Sequence, residues 1–139
     1  MASAKVCMAT PQHPRPMRPF KVTVLCDSPA QRDLDVAALH QNGYEATGMA
    51  SAATLDICGP DVVLINLTGM DGDPFALVET VVKTSPQVGV LLVISADEDD
   101  KTRAYQSGAD NYLVRPYEPG ELVAVVKSLS RRLQRTLNV

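Results

Sequence analysis

Short apolar runs rich in β-branched residues alternate with segments carrying helix-start and helix-stop signals, and this alternation constrains the fold of the chain most. Val22-Thr23-Val24-Leu25-Cys26, Val62-Val63-Leu64-Ile65 and Val88 to Ile94 are the clearest runs. Tyr112-Leu113-Val114 is a shorter fourth run, and Tyr44 to Thr47 alternates weakly, as an edge strand would. Near-continuous apolar runs suit strands buried on both faces, the habit of parallel sheets.

The segments between them read as helices. Ser28-Pro29-Ala30-Gln31 combines an N-cap, a Pro at the first helical position and a capping-box Gln, and Asn42-Gly43 supplies the stop. Residues 51–58 form a short candidate closed by Gly59-Pro60. Asp73-Pro74 opens a third helix that ends before Ser85-Pro86. A fourth runs from Asp97 to Ser107 and stops at Gly108. The last runs from Glu118 to about Leu137, with Leu122, Val126, Leu129 and Leu133 along one stripe. Five β-α pairs in sequence predict right-handed crossovers and an open, doubly wound α/β sheet with helices on both faces.

At 139 residues, the chain is the length of one ordinary domain. Nothing in it approaches the roughly 20 apolar residues of a membrane span. Charge is unevenly placed. Residues 1–20 carry Lys5, Arg15 and Arg18 and no acid. Residues 127–139 carry Lys127, Arg131, Arg132 and Arg135 and no acid. The body between holds six basic and all sixteen acidic residues, a net charge of −10. That excludes a basic nucleic-acid surface on the body, though not at the ends.

Three cysteines (Cys7, Cys26, Cys58) without C-x-x-C spacing argue against a disulfide scaffold or a zinc site, and a reducing cytoplasm is expected. Two histidines, His13 and His40, leave little material for a triad or a His-rich metal site. Eight glycines include no G-x-G pair and no phosphate loop. Pro11, Pro14, Pro16 and Pro19 mark residues 1–20 as a disordered, basic leader. The body is expected to span 21–131, and residues 132–139 to extend the last helix.

In a doubly wound sheet the functional crevice lies beyond the carboxyl ends of the strands. Cys26, Asp27 and Ser28 follow the first strand; Asn66, Leu67 and Thr68, then Gly69-Met70-Asp71-Gly72, follow the third. Ser95 and Ala96 follow the fourth, Arg115 and Pro116 the fifth. Topology alone thus gathers a carboxylate, a carboxamide, a hydroxyl and a guanidinium.

With those residues in place, the chain resembles the receiver domain of bacterial two-component response regulators, from residue 21 to about 131. Asp27-Ser28-Pro29 with Arg32 resembles the family's acid-x-Pro-x-x-Arg opening. Pro60-Asp61-Val62-Val63-Leu64-Ile65 resembles its third strand, and Ile94-Ser95-Ala96 the end of its fourth. Gly108-Ala109-Asp110-Asn111-Tyr112-Leu113-Val114-Arg115-Pro116-Tyr117, followed by Glu121-Leu122, is the most specific stretch. The resemblance implies a three-layer (βα)5 sandwich with strand order 2-1-3-4-5, the flavodoxin-like arrangement.

It also implies phosphoryl transfer from a kinase histidine to an aspartate at the end of the third strand. Mg²⁺ would be held by two acids after the first strand and a backbone carbonyl. A Ser or Thr and a Lys would contact the phosphoryl group, and an aromatic on the fifth strand would report to partners. In this chain the acceptor position is Asn66, whose neutral carboxamide is a poor nucleophile. The acidic pair is reduced to Cys26 and Asp27. Arg115 stands at the Lys position, wider and suited to planar bidentate partners. The loop from Thr68 to Gly72 is shortened and lacks the family's Pro. Ser95 and Tyr112 are retained, and Thr68 is a further pocket contact. One carboxylate beside an amide and a thiol is a poor magnesium site, with Asp27 the weak metal candidate. A single substitution of an ordinary receiver would account for Asn66 alone, not for Cys26, Arg115 and the shortened loop together.

The expectation is a receiver that is not an enzyme, needs no cofactor, and works by protein–protein contact without phosphorylation. Asp27 and Arg115 are expected to pair across the crevice. Cys26 is read as a small core residue rather than a redox sensor, Asp71 as a solvated acid rather than a substitute acceptor, and Arg115-Pro116 as a position where the peptide is usually cis. Asp97-Glu98-Asp99-Asp100 suits the first turn of a helix dipole. The partners implied are signalling proteins, such as a histidine kinase or another regulator. A homodimer through the fourth helix, fifth strand and last helix is an open alternative. Two others are an anion bound at Arg115 and Ser95, and a DNA-binding regulator, with nucleic acid a partner only if an output domain follows.

Overall fold

The three longer apolar runs become strands whose side chains are buried on both faces, so the sheet has to be covered twice. The computed structural model describes residues 20–51, 59–67 and 73–137, with side chains to residue 133. The strands are β1 (Lys21–Cys26), β2 (Glu45–Met49), β3 (Val62–Asn66), β4 (Gly89–Ile94) and β5 (Asn111–Val114). They form one parallel sheet in the order β2-β1-β3-β4-β5. This is the expected order, with the weakly alternating β2 at an edge. The expected leader and the helix expected at 51–58 fall, apart from Phe20 and Ser51, outside the described residues.

Four helices are described: α1 (Pro29–Gln41), α2 (Pro74–Thr84), α3 (Glu98–Gln106) and α4 (Pro119–Leu137). Three begin on the N-caps legible in the sequence. Ser28 accepts from the Gln31 N–H, Asp73 from the Phe75 N–H and Asp97 from the Asp99 N–H. Two stop identically. Gly43 and Gly108 take φ values of +88° and +105°, which favour glycine. The next residues, Tyr44 and Ala109, donate back to Leu39 O and Ala104 O, closing Schellman turns.

Side-chain alternation divides the core in two. Val22, Val24, Val62, Leu64, Leu91, Val93 and Leu113 face α1 and α4, meeting Leu39, Leu122, Val126 and Leu129. Leu25, Val63, Ile65, Val90, Leu92 and Ile94 face the other way, onto Phe75, Val78 and Val81 of α2 and Ala104 of α3. Leu64 and Leu92 have no exposed surface, and truncating either to Ala costs about 2–5 kcal/mol. The basic end of α4 is held to the domain as far as its side chains are described, at residue 133. Leu133 packs against the core, in the space left by Gly89, where a Cβ would come within 3.0 Å of Leu133 Cδ1.

The amino end of the sheet is tied by two aspartates that act alike. Asp61 precedes β3; its carboxylate accepts from the Lys21 N–H at 2.8 Å and its own N–H donates to Lys21 O at 2.8 Å. Asp110 precedes β5; its carboxylate accepts from the Val90 N–H at 2.8 Å and its N–H donates to Val90 O at 2.9 Å. Each gives a neighbouring strand an acceptor that its ladder lacks there.

Candidate functional site

Parallel pairing sets the carboxyl ends of β1 and β3 side by side, with Cys26 opposite Asn66. The alternation that directs Val62 and Leu64 toward α1 and α4 continues to Asn66, which is 4% exposed. A buried carboxamide needs partners for both ends, and Asn66 has them. Its Oδ1 accepts from Arg115 Nε at 3.1 Å and Arg115 Nη2 at 3.0 Å, while its Nδ2 donates to Tyr117 Oη at 3.2 Å. Arg115 Nη2 also donates to Leu67 O at 3.1 Å. The guanidinium therefore clamps the end of β3.

This corrects one expectation: Arg115 does not pair with Asp27, since its hydrogen bonds go to Asn66 and Leu67. The reason is geometric. A planar fork at the end of β5 meets the amide oxygen of β3, and one nitrogen can serve the next carbonyl as well. Asp27 is half-buried at the mouth of the crevice and has a contact of its own.

Tyr117 carries the network further. Its phenol donates to Asp35 Oδ2 at 2.6 Å, and Gln31 Nε2 donates to Asp35 Oδ1 at 2.9 Å. Asp35 is 1% exposed, an acid in the inward face of α1 beside Ala38 and Leu39. Burial raises its pKa, and the bonds from Tyr117 and Gln31 oppose that rise. Burial also raises the phenol pKa of Tyr117, as does its bond to Asp35. Arg115, Asn66, Tyr117, Asp35 and Gln31 thus form one chain joining the β5–α4 loop, β3 and α1.

The sequence reading missed Asp35, Gln31 and a role for Tyr117. A signal for Asp35 existed: an acid at the position of α1 three and four residues before the buried Ala38 and Leu39 breaks the apolar stripe. Nothing local reveals that Tyr117, 82 residues later, is its donor.

Cys26 behaves as a core residue. Its side chain is 1% exposed, its thiol donates to Ser28 O at 3.5 Å, and burial pushes its pKa up, away from thiolate. Its carbonyl accepts from Arg32 Nη1 at 2.8 Å. The stem of Arg32 crosses Gly48 of β2, where a Cβ would lie 2.9 Å from it. The Arg of the acid-x-Pro-x-x-Arg opening therefore serves the end of β1.

Ser95 is exposed, and its hydroxyl donates to Asp100 Oδ2 at 2.6 Å in the first turn of α3. Tyr112 is half-buried, its ring edge-on to Tyr105 of α3 at 5.4 Å between centroids. The Arg115–Pro116 peptide is cis. Thr68 and Asp71 lie outside the described residues. Among the described residues, no three His, Cys, Asp or Glu side chains come together to hold a metal ion, and no helix is long and apolar enough to cross a membrane.

Comparison with known proteins agrees with this architecture. Residues 22–127 match the family model for the response regulator receiver domain. The chain is 30% identical over 119 residues to the transcriptional regulatory protein TrcR of Mycobacterium tuberculosis, covering 82% of this chain and 46% of TrcR. It is 32% identical over 122 residues to the phosphate regulon transcriptional regulatory protein PhoB of Escherichia coli, covering 81% of this chain and 52% of PhoB. The chain thus spans about half the length of these curated relatives. A CheY-like receiver domain from Methanospirillum hungatei superposes with a TM-score of 0.78 at 21% identity, over 86% of this chain and 99% of that one. The response regulator DrrB of Thermotoga maritima superposes with a TM-score of 0.76 at 21% identity, over 83% of this chain and 54% of its own. Sheet order, crevice and sequence match converge on one conclusion: the chain belongs to the response regulator receiver domain family.

Proposed function

We propose that this receiver signals through protein–protein contact without aspartyl phosphorylation, as an atypical member whose acceptor position is Asn66. The observation that carries the reading is the state of that side chain: a neutral carboxamide with Oδ1 clamped by Arg115 and Nδ2 bound to Tyr117. An incoming phosphoryl group would find no carboxylate to attack it. Ser95 and Arg115, at the family's two phosphoryl-contact positions, are engaged with Asp100, Asn66 and Leu67. Cys26 adds a buried thiol where a magnesium site needs a hard oxygen ligand, so binding of Mg²⁺ at Asp27 is expected to be weak or absent. The partner is a signalling protein, docked on α3, β5 and α4.

The test is incubation with acetyl phosphate, or beryllofluoride, and Mg²⁺, followed by intact-mass analysis and a binding titration. No adduct and no saturable binding are expected; clear adduct formation at the β3 crevice would overturn the reading. Asp71→Ala in the same assay discriminates a substitute acceptor. Asn66→Asp alone is expected to stay unphosphorylated, and adding Cys26→Asp to restore Mg²⁺-dependent labelling.

A second reading rests on length. The chain covers about half of relatives named as transcriptional regulatory proteins, which favours a receiver followed by an output domain. Sequencing the reading frame beyond Val139 decides it.

A further inference from the structure

The buried carboxylate of Asp35 plays no part in the signalling reading above, yet it sits at the end of a continuous hydrogen-bonded chain. Three observations bear on it. Asp35 is 1% exposed and accepts through both oxygens. The only phenol in the chain of contacts, Tyr117, donates to Asp35 and accepts from Asn66 at the same oxygen. Asn66 is in turn held by Arg115, two residues before Tyr117 on the β5–α4 loop. The titratable groups facing Asp35 are the Cys26 thiol at the end of β1 and the Tyr117 phenol on the loop; α1 contributes the neutral Gln31.

We propose that Asp35, Tyr117 and Asn66 form a proton-responsive latch that fastens the β5–α4 loop to α1. An ionised carboxylate only accepts, so Gln31 and Tyr117 must both donate to it, and the phenol oxygen is left free to accept from Asn66. The orientation of every group in the chain follows from that one charge. When Asp35 takes a proton from solvent, one of its oxygens becomes a donor. A proton on Oδ2 meets Tyr117 Oη and displaces the phenol hydrogen, which loses its acceptor. A proton on Oδ1 meets Gln31 Nε2, a donor, and that amide has to turn over. In both cases the 2.6 Å phenol–carboxylate bond loses its charge assistance, about half its strength. Burial of Asp35, which raises its pKa, brings this event closer to neutral pH. The latch would make presentation of the loop beside α4 sensitive to proton concentration. It stands independently of whether Asn66 is bypassed in signalling.

The experiment is an NMR titration of the full chain from about pH 8 to about pH 3, a window that includes the ordinary carboxylate range. It follows the Asp35 carboxyl carbon, the Tyr117 Cζ and the Arg115 Nε–H. All three are expected to share one midpoint above the ordinary carboxylate range. Amide exchange at Arg115, Tyr117 and Glu118, corrected for intrinsic rates, is expected to quicken about tenfold on the acid side. Asp35→Asn should abolish the coupled response. Should that variant not fold, Tyr117→Phe serves instead: Asp35 still titrates, but Arg115 Nε–H no longer follows it. An Asp35 midpoint in the ordinary range, a Tyr117 Cζ that ignores Asp35, or an Arg115 response that survives Tyr117→Phe would each overturn the proposal.

Discussion

The two ends of the sheet are fastened by opposite means. At the amino end, Asp61 and Asp110 each bond to the backbone of a neighbouring strand through one carboxylate oxygen and one N–H, and Asp61 O also accepts from the Gly89 N–H of β4. Those two units repeat the same geometry. At the carboxyl end, Arg115, Asn66, Tyr117, Asp35 and Gln31 bond side chain to side chain in a single chain that crosses three elements. Backbone bonding at one end sets register. Side-chain linkage at the other makes the position of each group depend on the rest, which a signalling end of a receiver can use.

The largest effect is expected from Arg115→Ala, which strips both donors from the buried Asn66 Oδ1. Urea unfolding should report a loss of about 2–3 kcal/mol. Tyr117→Phe should cost about 1–2 kcal/mol, because the Asn66 amide and the Asp35 carboxylate each lose a partner. The double variant should depart from the sum by about 0.5 kcal/mol or more, the signature of a shared network. An additive pair would erase the contrast between the ends.

Asp110→Ala should cost about 1 kcal/mol by leaving the buried Val90 N–H without its acceptor. Combined with Arg115→Ala at the other end of β5, it should add within about 0.5 kcal/mol. A clear coupling there would mean that the sheet transmits between its ends.

Stability against pH gives a smaller readout whose sign is fixed. Asp35 has a raised native pKa, so the folded state binds its proton more tightly than the unfolded chain does. Its contribution is fully present below the ordinary carboxylate value and declines as pH rises through the raised native value. Thermal melts should therefore show a component that falls with pH in that window and is absent in Asp35→Asn. The smallest effect belongs to the exposed Arg103–Asp73 pair at 3.3 Å. Arg103→Ala should change stability by less than about 1 kcal/mol, although the guanidinium also lies over the Phe75 ring.

Much of the fold was legible because its signals are local. The N-caps at Ser28, Asp73 and Asp97 and the stops at Gly43 and Gly108 each act within a few residues. The weak alternation before Thr47 marked an edge strand because, in a parallel sheet covered on both faces, exposed side chains belong at the edge, where β2 lies. The positions of Cys26, Asn66, Ser95 and Arg115 at or just past the carboxyl ends of the strands followed from where the strands end. Their bonding partners did not. Asp27 was the obvious anion for Arg115, yet the guanidinium serves Asn66 and Leu67.

The sequence by itself determined the order of elements, their caps, the two-sided burial of the strands and the residue types gathered at the crevice. Periodicity and turn chemistry act over short spans of chain, and a parallel sheet leaves little choice of topology. Only the tertiary structure decided that an acid on α1 would be buried, and that a phenol from the β5–α4 loop would meet it. Those positions depend on how α1 is turned on the sheet and how the β5–α4 loop folds over it. Both are products of packing between residues far apart in the chain, for which no local pattern is a proxy.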